Sequence, residues 1–214
     1  MKATLFVAAA CALLASSTTQ AQVSAGPACV PNTLASYIAL GAGGCMFEGT
    51  LYRNFTYVPP ALSSISPAQI LVIPSSGGSV ITPYPGLTFY GPWSVPEGQS
   101  LNTTIGYNTV PFPPNASAEE LATNLTLDLG TPSIGGPIGS ATVTETATSS
   151  SVGLAGTLQV FESCEEVCAL KQTDAASLAG LETLTFSLNI ALNGGNGGAS
   201  LNFFATNESY VPQP

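Results

Sequence analysis

The sequence predicts an all-β chain: a two-layer antiparallel β-sandwich, jelly-roll-like, with one short helix near its N-terminal end. Three observations carry that expectation. Short stretches alternate polar and apolar residues with a period of two, as strands buried on one face do. Turn signals punctuate them, and the 214 residues include 22 Gly and 17 Pro. Charged residues make up only 7% of the chain, while Thr, Ser, Asn and Val are abundant, as in many extracellular β proteins.

Met1 to Ala21 reads as a secretory signal peptide. Lys2 supplies the charged start, Leu5 to Ala15 the apolar segment, and Thr19-Gln20-Ala21 a small-residue cleavage site before Gln22. The apolar run is shorter than the ~20 residues a spanning helix needs. Cys11 sits in the middle of that run, which is not a position for lipid attachment. The expected product is secreted, extracellular or periplasmic, without a stable membrane anchor. Residues 22–214 are one domain of ordinary sandwich size.

The stretch from Asn32 to Tyr57 organises the rest. Asn32 or Thr33 can cap a short helix from Leu34 to Gly41, with Leu34, Tyr37 and Ile38 on one face. Gly41 is a natural left-handed stop, and Gly43-Gly44 turns the chain into Cys45. From Leu51 the period drops to two, placing Leu51, Arg53, Phe55 and Tyr57 on one side and Tyr52, Asn54 and Thr56 on the other. The helix is expected to plug one end of the sandwich.

Strands follow at Gln69 to Ile73, closed by Pro74, and at Gly86 to Tyr90, bounded by prolines at 83, 85 and 92. Leu101 to Val110 alternates, and Ser117-Ala118-Glu119-Glu120 has the form of a capping box for one helical turn. Leu121, Thr123, Leu125, Leu127 and Leu129 then share a strand face. Ser140 to Thr148, Leu154 to Phe161, Leu181 to Leu192 and Ala199 to Ala205 complete the set, the last two joined by NGGNGG. That glycine run is a loop and not a phosphate cradle, because no strand-then-helix context surrounds it.

Four cysteines remain after cleavage: Cys29, Cys45, Cys164 and Cys168. An even count in an exported chain points to two disulfides. Of the three connectivities four cysteines allow, Cys29 with Cys45 and Cys164 with Cys168 is favoured. The first would tie the N-terminal arm across the helix, and the second would close the acidic loop CEEVC. A four-cysteine zinc site is the sharper alternative, but the spacing is not a paired CxxC pattern.

Charge and missing residues exclude several chemistries. The mature chain keeps Arg53 and Lys171 against twelve acids, too few cations for nucleic acids or anionic membranes. There is no histidine, which removes Ser-His-Asp and Cys-His catalysis and histidine metal sites. No catalytic residue, metal or cofactor is therefore assigned. A carboxylate-pair glycosidase is the remaining catalytic alternative, with Glu48, Glu97, Asp128, Glu145 and Glu162 as candidates. Alternation is expected to turn each of them outward. Glu165-Glu166 with Asp174 has acids enough for a weak calcium contact but lacks regular ligand spacing. A carbohydrate-binding alternative rests on Trp93, the sole tryptophan, with Tyr84, Phe89 and Tyr90 as stacking rings. Asn-x-Ser/Thr occurs at Asn54, Asn102, Asn115, Asn124 and Asn207, glycan sites in a eukaryotic secretory route and chance matches in a bacterium.

Three segments resemble a group of bacterial exported proteins, the PEP-CTERM-associated proteins of uncharacterised function. The first is Thr33-Leu34-Ala35-Ser36-Tyr37-Ile38-Ala39-Leu40-Gly41 running to Cys45, then Tyr52-Arg53-Asn54-Phe55-Thr56-Tyr57. The second is Leu125 to Gly130 with Val143 to Thr146, and the third is Asn193 to Leu201 with Asn207. The chain departs from the family at Val211-Pro212-Gln213-Pro214, with Gln in place of Glu and no following apolar helix, and at Ala147, where a cysteine is usual. The resemblance implies a relative that is released without the sorting anchor. The leading expectation is a non-enzymatic protein of the cell surface or extracellular matrix. Its expected partners are polysaccharide or other matrix components.

Overall fold

The structure, a computed structural model, describes residues 26–61, 65–79, 82–111, 120–181 and 183–212. The expected signal peptide, most of the capping-box turn, the Asn115 sequon and the last two residues lie outside them. Glu120, the last residue of the expected turn, opens a strand instead.

After a two-residue β1 (Asn32–Thr33) come α1 (Leu34–Ala39), β2 (Cys45–Phe47) and β3 (Thr50–Val58). A 3₁₀ turn at Pro67–Gln69 leads into β4 (Leu71–Ser79), β5 (Thr82–Val95), β6 (Ser100–Pro111), β7 (Glu120–Leu129) and β8 (Pro132–Ile134). Then follow β9 (Ile138–Ser149), β10 (Gly153–Glu165), β11 (Val167–Lys171), β12 (Thr173–Leu181), β13 (Leu184–Asn193) and β14 (Ala199–Pro212). They form two seven-stranded sheets. One runs β1-β4-β5-β14-β7-β12, with β8 beside β14; the other runs β11-β10-β9-β13-β6-β3-β2. Pairing between named strands is antiparallel throughout. The chain crosses between sheets at β1 to β2, β3 to β4, β5 to β6, β6 to β7, β8 to β9, β11 to β12, β12 to β13 and β13 to β14, so the jelly-roll-like two-layer sandwich holds.

The helix is shorter than its sequence signal but sits where expected. Thr33 is the cap, its hydroxyl accepting from the Ser36 N–H at 3.2 Å. Gly41 follows with φ +56°, a conformation that glycine adopts without a Cβ penalty. Leu34 and Tyr37 are buried, and the Tyr37 ring meets Phe55 edge-on at 5.0 Å. Because β1 pairs with β4 while β2 pairs with β3, this segment links the two sheets across one end.

Two strands, β3 and β7, depart from the alternation their sequences predict. In β3 a bulge between Arg53 and Thr56 centres on Asn54, with φ +56°. The extra residue shifts the phase, so Tyr52 and Phe55 both face the core, not opposite sides as their spacing predicts. In β7 the slip opposite Ser209/Tyr210 turns Ala122 inward, and the Leu125, Leu127, Leu129 row does not continue unbroken toward its start. Prolines do not end β4 or β5 as expected. Pro74 lies beyond the short β1 pairing, where one side of β4 is a free edge, and Pro83 and Pro85 lie beyond the β14 pairing. Pro92 falls in the β5–β14 irregularity between Leu201 and Phe203, where a missing N–H breaks no regular ladder.

The core is aromatic at its centre. Phe55, Tyr107 and Phe186 stack along one sheet, and Tyr107 reaches Phe89 of the other at 6.2 Å. Phe89 stacks on Phe204, which meets Trp93 at 5.5 Å. Each buried ring removes a large apolar area from water, so this column holds the layers together.

Candidate functional site

The structure separates the four rings expected to form a sugar platform. Trp93 is 1% exposed, and Phe89 is fully buried in the same core column. Strand alternation puts both on the inner face of β5, and Gly91 makes room for the indole: a Cβ there would approach its ring to 2.8 Å. These two side chains cannot present a face to a glycan, which corrects their assignment. Tyr84 is half-buried farther along β5. Tyr90 alone is exposed, at 39%.

Tyr90 has a different companion. Phe203 on β14 is its direct cross-strand partner, and the two rings stack at 5.1 Å with an interplanar angle of 30°. On the other side, Leu71 of β4 is in register with Tyr90 and equally exposed. Leu71, Tyr90 and Phe203 thus form an apolar row across three adjacent strands on the outer face of one sheet. Phe203 escaped the sequence reading because Phe203-Phe204 offers two identical rings, and only the register settles which one faces out.

The four described cysteines are oxidised. Cys29 bonds Cys45 and Cys164 bonds Cys168, as favoured from their spacing. The first bridge fastens the arm to β2, beside the hydrogen bond from the Cys29 N–H to the Met46 carbonyl. The second joins residues directly opposite each other on β10 and β11, so CEEVC is a hairpin turn and not an open loop. Glu166 occupies it with φ +71°. Among the described residues no cysteine thiolate remains for the zinc alternative, and Glu162 beside Cys164 and Cys168 faces disulfide sulfurs.

Most candidate acids behave as surface groups. Glu97, Glu165 and Glu166 are exposed, and Glu48 accepts from the Ser76 hydroxyl. Asp128 accepts from Thr173 at 2.8 Å. Asp174 is engaged by Lys171 at 2.8 Å and by the Gln159 N–H at 2.8 Å, contacts that hold its carboxyl below the usual range. It is therefore not free for the calcium contact considered with Glu165-Glu166.

Glu145 is the exception, and it corrects the outward expectation. It is 1% exposed, and neither carboxylate oxygen has a hydrogen-bond partner among the described residues. Its strand carries the signal: Ala141, Val143 and Ala147 share its period-two face, and all are buried. On β14 of the opposite sheet, near enough for its charge to act on Glu145, is Glu208, fully buried and overlooked in sequence because its neighbours Thr206 and Tyr210 look polar. Three tyrosines converge on Glu208. Tyr52 donates to Oε2 at 3.2 Å, Tyr210 to Oε2 at 3.1 Å, and Tyr107 to Oε1 at 3.5 Å while sharing a 2.9 Å hydrogen bond with Thr206.

Burial dominates the electrostatics of this cluster. It pushes the Glu208 carboxyl up to about 8, against the three tyrosine hydroxyls that favour its charged form. Glu145 is driven well above the carboxylate range, first by burial and then by the Glu208 charge. Burial likewise raises Tyr52, Tyr107 and Tyr210 far above the ordinary phenol range, with Glu208 adding to each. The result is a network sealed between the two sheets, in which burial favours the protonated form of both carboxyls.

Neither a protein-family model nor a curated protein matches the sequence. Among solved structures, TmCBM61 in complex with β-1,4-galactotriose is similar over 74% of this chain and 88% of its own, at 10% identity and a TM-score of 0.31. An arabinose-bound MgGH51 α-L-arabinofuranosidase is similar over 89% of this chain but only 26% of its own, at 17% identity and a TM-score of 0.28. A structure of carbohydrate-binding modules from the β-sandwich superfamily is similar over 88% and 63%, at 11% identity and a TM-score of 0.26. Likenesses this slight carry no argument about ligand or activity.

Proposed function

We propose that the chain is an exported, non-catalytic β-sandwich acting at the cell surface or in the extracellular matrix. The observation that carries the non-catalytic reading is the closure of the Glu145–Glu208 pair. A glycosidase needs two acids flanking a substrate in a cleft. These two are 1% and 0% exposed, between sheets. The two disulfides support export, because such bonds persist in oxidising compartments. The PEP-CTERM-like segments support the same setting. The test is fractionation of a culture expressing the full chain, followed by mass spectrometry of the product. Recovery outside the cell, cleaved near Ala21 and with no free thiol, supports the reading. Recovery in the cytoplasm with Met1 retained and thiols reduced would sink it.

A second reading is favoured by the outward row of exposed Leu71 and Tyr90 with half-buried Phe203: contact with polysaccharide through ring stacking. An array of bacterial and plant polysaccharides should be probed with the wild type, Tyr90→Ala and Phe203→Ala. Binding lost in both variants supports this surface. A blank array, or binding that both variants retain, removes it.

A further inference from the structure

We propose that Glu145 and Glu208 are a buried carboxyl pair that must keep its protons for the two sheets to stay closed, so that the sandwich is tightest at acid pH and loosens as pH rises. The geometry comes first. Glu145 projects from β9 of one sheet and Glu208 from β14 of the other, and both are sealed from solvent. No cation compensates them: of the two basic residues described, Lys171 pairs with half-buried Asp174, and Arg53 makes no ion pair. A carboxylate in such a place carries a large desolvation penalty, and two like charges facing each other add to it.

The groups facing the pair are all neutral proton carriers or apolar. Tyr52 comes from β3, Tyr107 from β6, and Thr206 and Tyr210 from β14. Thr109 of β6 sits behind Tyr210 at 3.4 Å. The register partners on β7, β10 and β13 are Leu125, Leu158 and Leu188. Nothing in this shell stabilises two negative charges at once.

The direction of the pH effect follows. A carboxyl raised in the folded state contributes stability that is complete below its unfolded value, near pH 4.3. That stability is lost as pH climbs through the folded value, about 8 for Glu208. The chain has no histidine. Between about pH 6 and pH 9 the α-amino terminus is thus the main other group with an ordinary titration. A pH slope in that window reports the buried pair.

The experiment measures the Tm of the purified protein from about pH 4 to about pH 9. It compares the wild type with E145Q, E208Q and the double variant. In parallel, the infrared C=O stretch of a protonated carboxylic acid is recorded on the wild type at neutral pH. The wild-type Tm is expected to be highest at the acid end of that range and to fall toward alkaline pH. Each single variant should flatten the fall and the double variant abolish it above about pH 6. The protonated carboxyl band should be present at neutral pH. An undiminished slope in the double variant overturns the proposal, as does a neutral-pH spectrum without that band. Restoration of the alkaline Tm by calcium chloride in the wild type but not in E145Q also overturns it, showing that a cation neutralises the pair. The wild-type spectrum decides the matter even if the double variant fails to fold.

Discussion

The Tyr52 hydroxyl donates to Glu208 Oε2 at 3.2 Å, joining two residues 156 positions apart and two different sheets. Tyr52 has no exposed surface, so its hydroxyl has no route to solvent if this partner is lost. Tyr52→Phe removes one of the donors to Glu208 and keeps the ring. The expected cost is about 1–3 kcal/mol, the range for breaking a buried hydrogen bond and leaving its partner less satisfied. The hydroxyl favours the charged carboxyl, so its loss should also carry Glu208 above its value of about 8. Urea unfolding at several pH values measures both effects. An unchanged midpoint at every pH would show that the contact contributes nothing.

Trp93 is a core residue, and its substitution should read as such. Trp93→Ala deletes the ring that meets Phe204 at 5.5 Å and is expected to cost about 3–5 kcal/mol. Trp93→Phe should cost less, because the indole Nε1 is buried without a hydrogen-bond partner and its removal loses no bond. Thermal or urea denaturation of both variants checks the ranking. Any polysaccharide binding lost in Trp93→Ala would have to be separated from unfolding, whereas Tyr90→Ala leaves the core untouched.

Much of the fold was legible because half-buried strands write their period into the sequence. The Ala141, Val143, Ala147 row and the Leu125, Leu127, Leu129 row needed nothing more than counting by two. The cap at Thr33, the stop at Gly41 and both disulfides followed from local chemistry and spacing. The failures share one physical origin, since they depend on what lies across the sheet or the core. Nothing local says that Asn54 bulges and turns Tyr52 inward. Nothing local tells Phe203 from Phe204. Glu145 occupies an apolar face that was readable, but a carboxylate is ordinarily assigned to water, and Glu208, whose charge adds to the burial that raises it, lies on another strand of the opposite sheet.

Asn54 holds a left-handed backbone at φ +56° in the β3 bulge, a conformation Asn and Gly tolerate and β-branched residues resist. Asn54→Gly should leave stability within a few tenths of a kcal/mol or raise it. Asn54→Val should lower it by about 1–2 kcal/mol. Because the bulge sets which side chains of β3 face inward, the valine variant is expected to disturb the Tyr52 and Phe55 packing as well. Near-ultraviolet circular dichroism of the tyrosines, read beside the unfolding midpoint, tests this. Equal stability of the two variants would mean that the bulge is not held by backbone preference.

Asp174 supplies a pH effect of opposite sign on the outside of the molecule. Its carboxylate takes the Lys171 ammonium and the Gln159 N–H of β10, connecting β12 to the edge of the facing sheet. Both contacts hold its proton affinity down. A depressed carboxyl contributes stability that is present above its unfolded value and lost as pH falls through the folded one. Asp174→Asn should therefore destabilise the protein at neutral pH, with the difference closing below the ordinary aspartate range as the wild-type carboxylate takes its proton. The size should stay below about 1 kcal/mol, because an exposed ion pair is screened by water and salt. The buried pair is not screened in that way, so it should dominate the whole-protein profile, leaving stability greatest on the acid side. Differential scanning calorimetry of wild type and Asp174→Asn across that range separates the two. A difference that persists undiminished at low pH would assign Asp174 a packing role and remove its charge from the account.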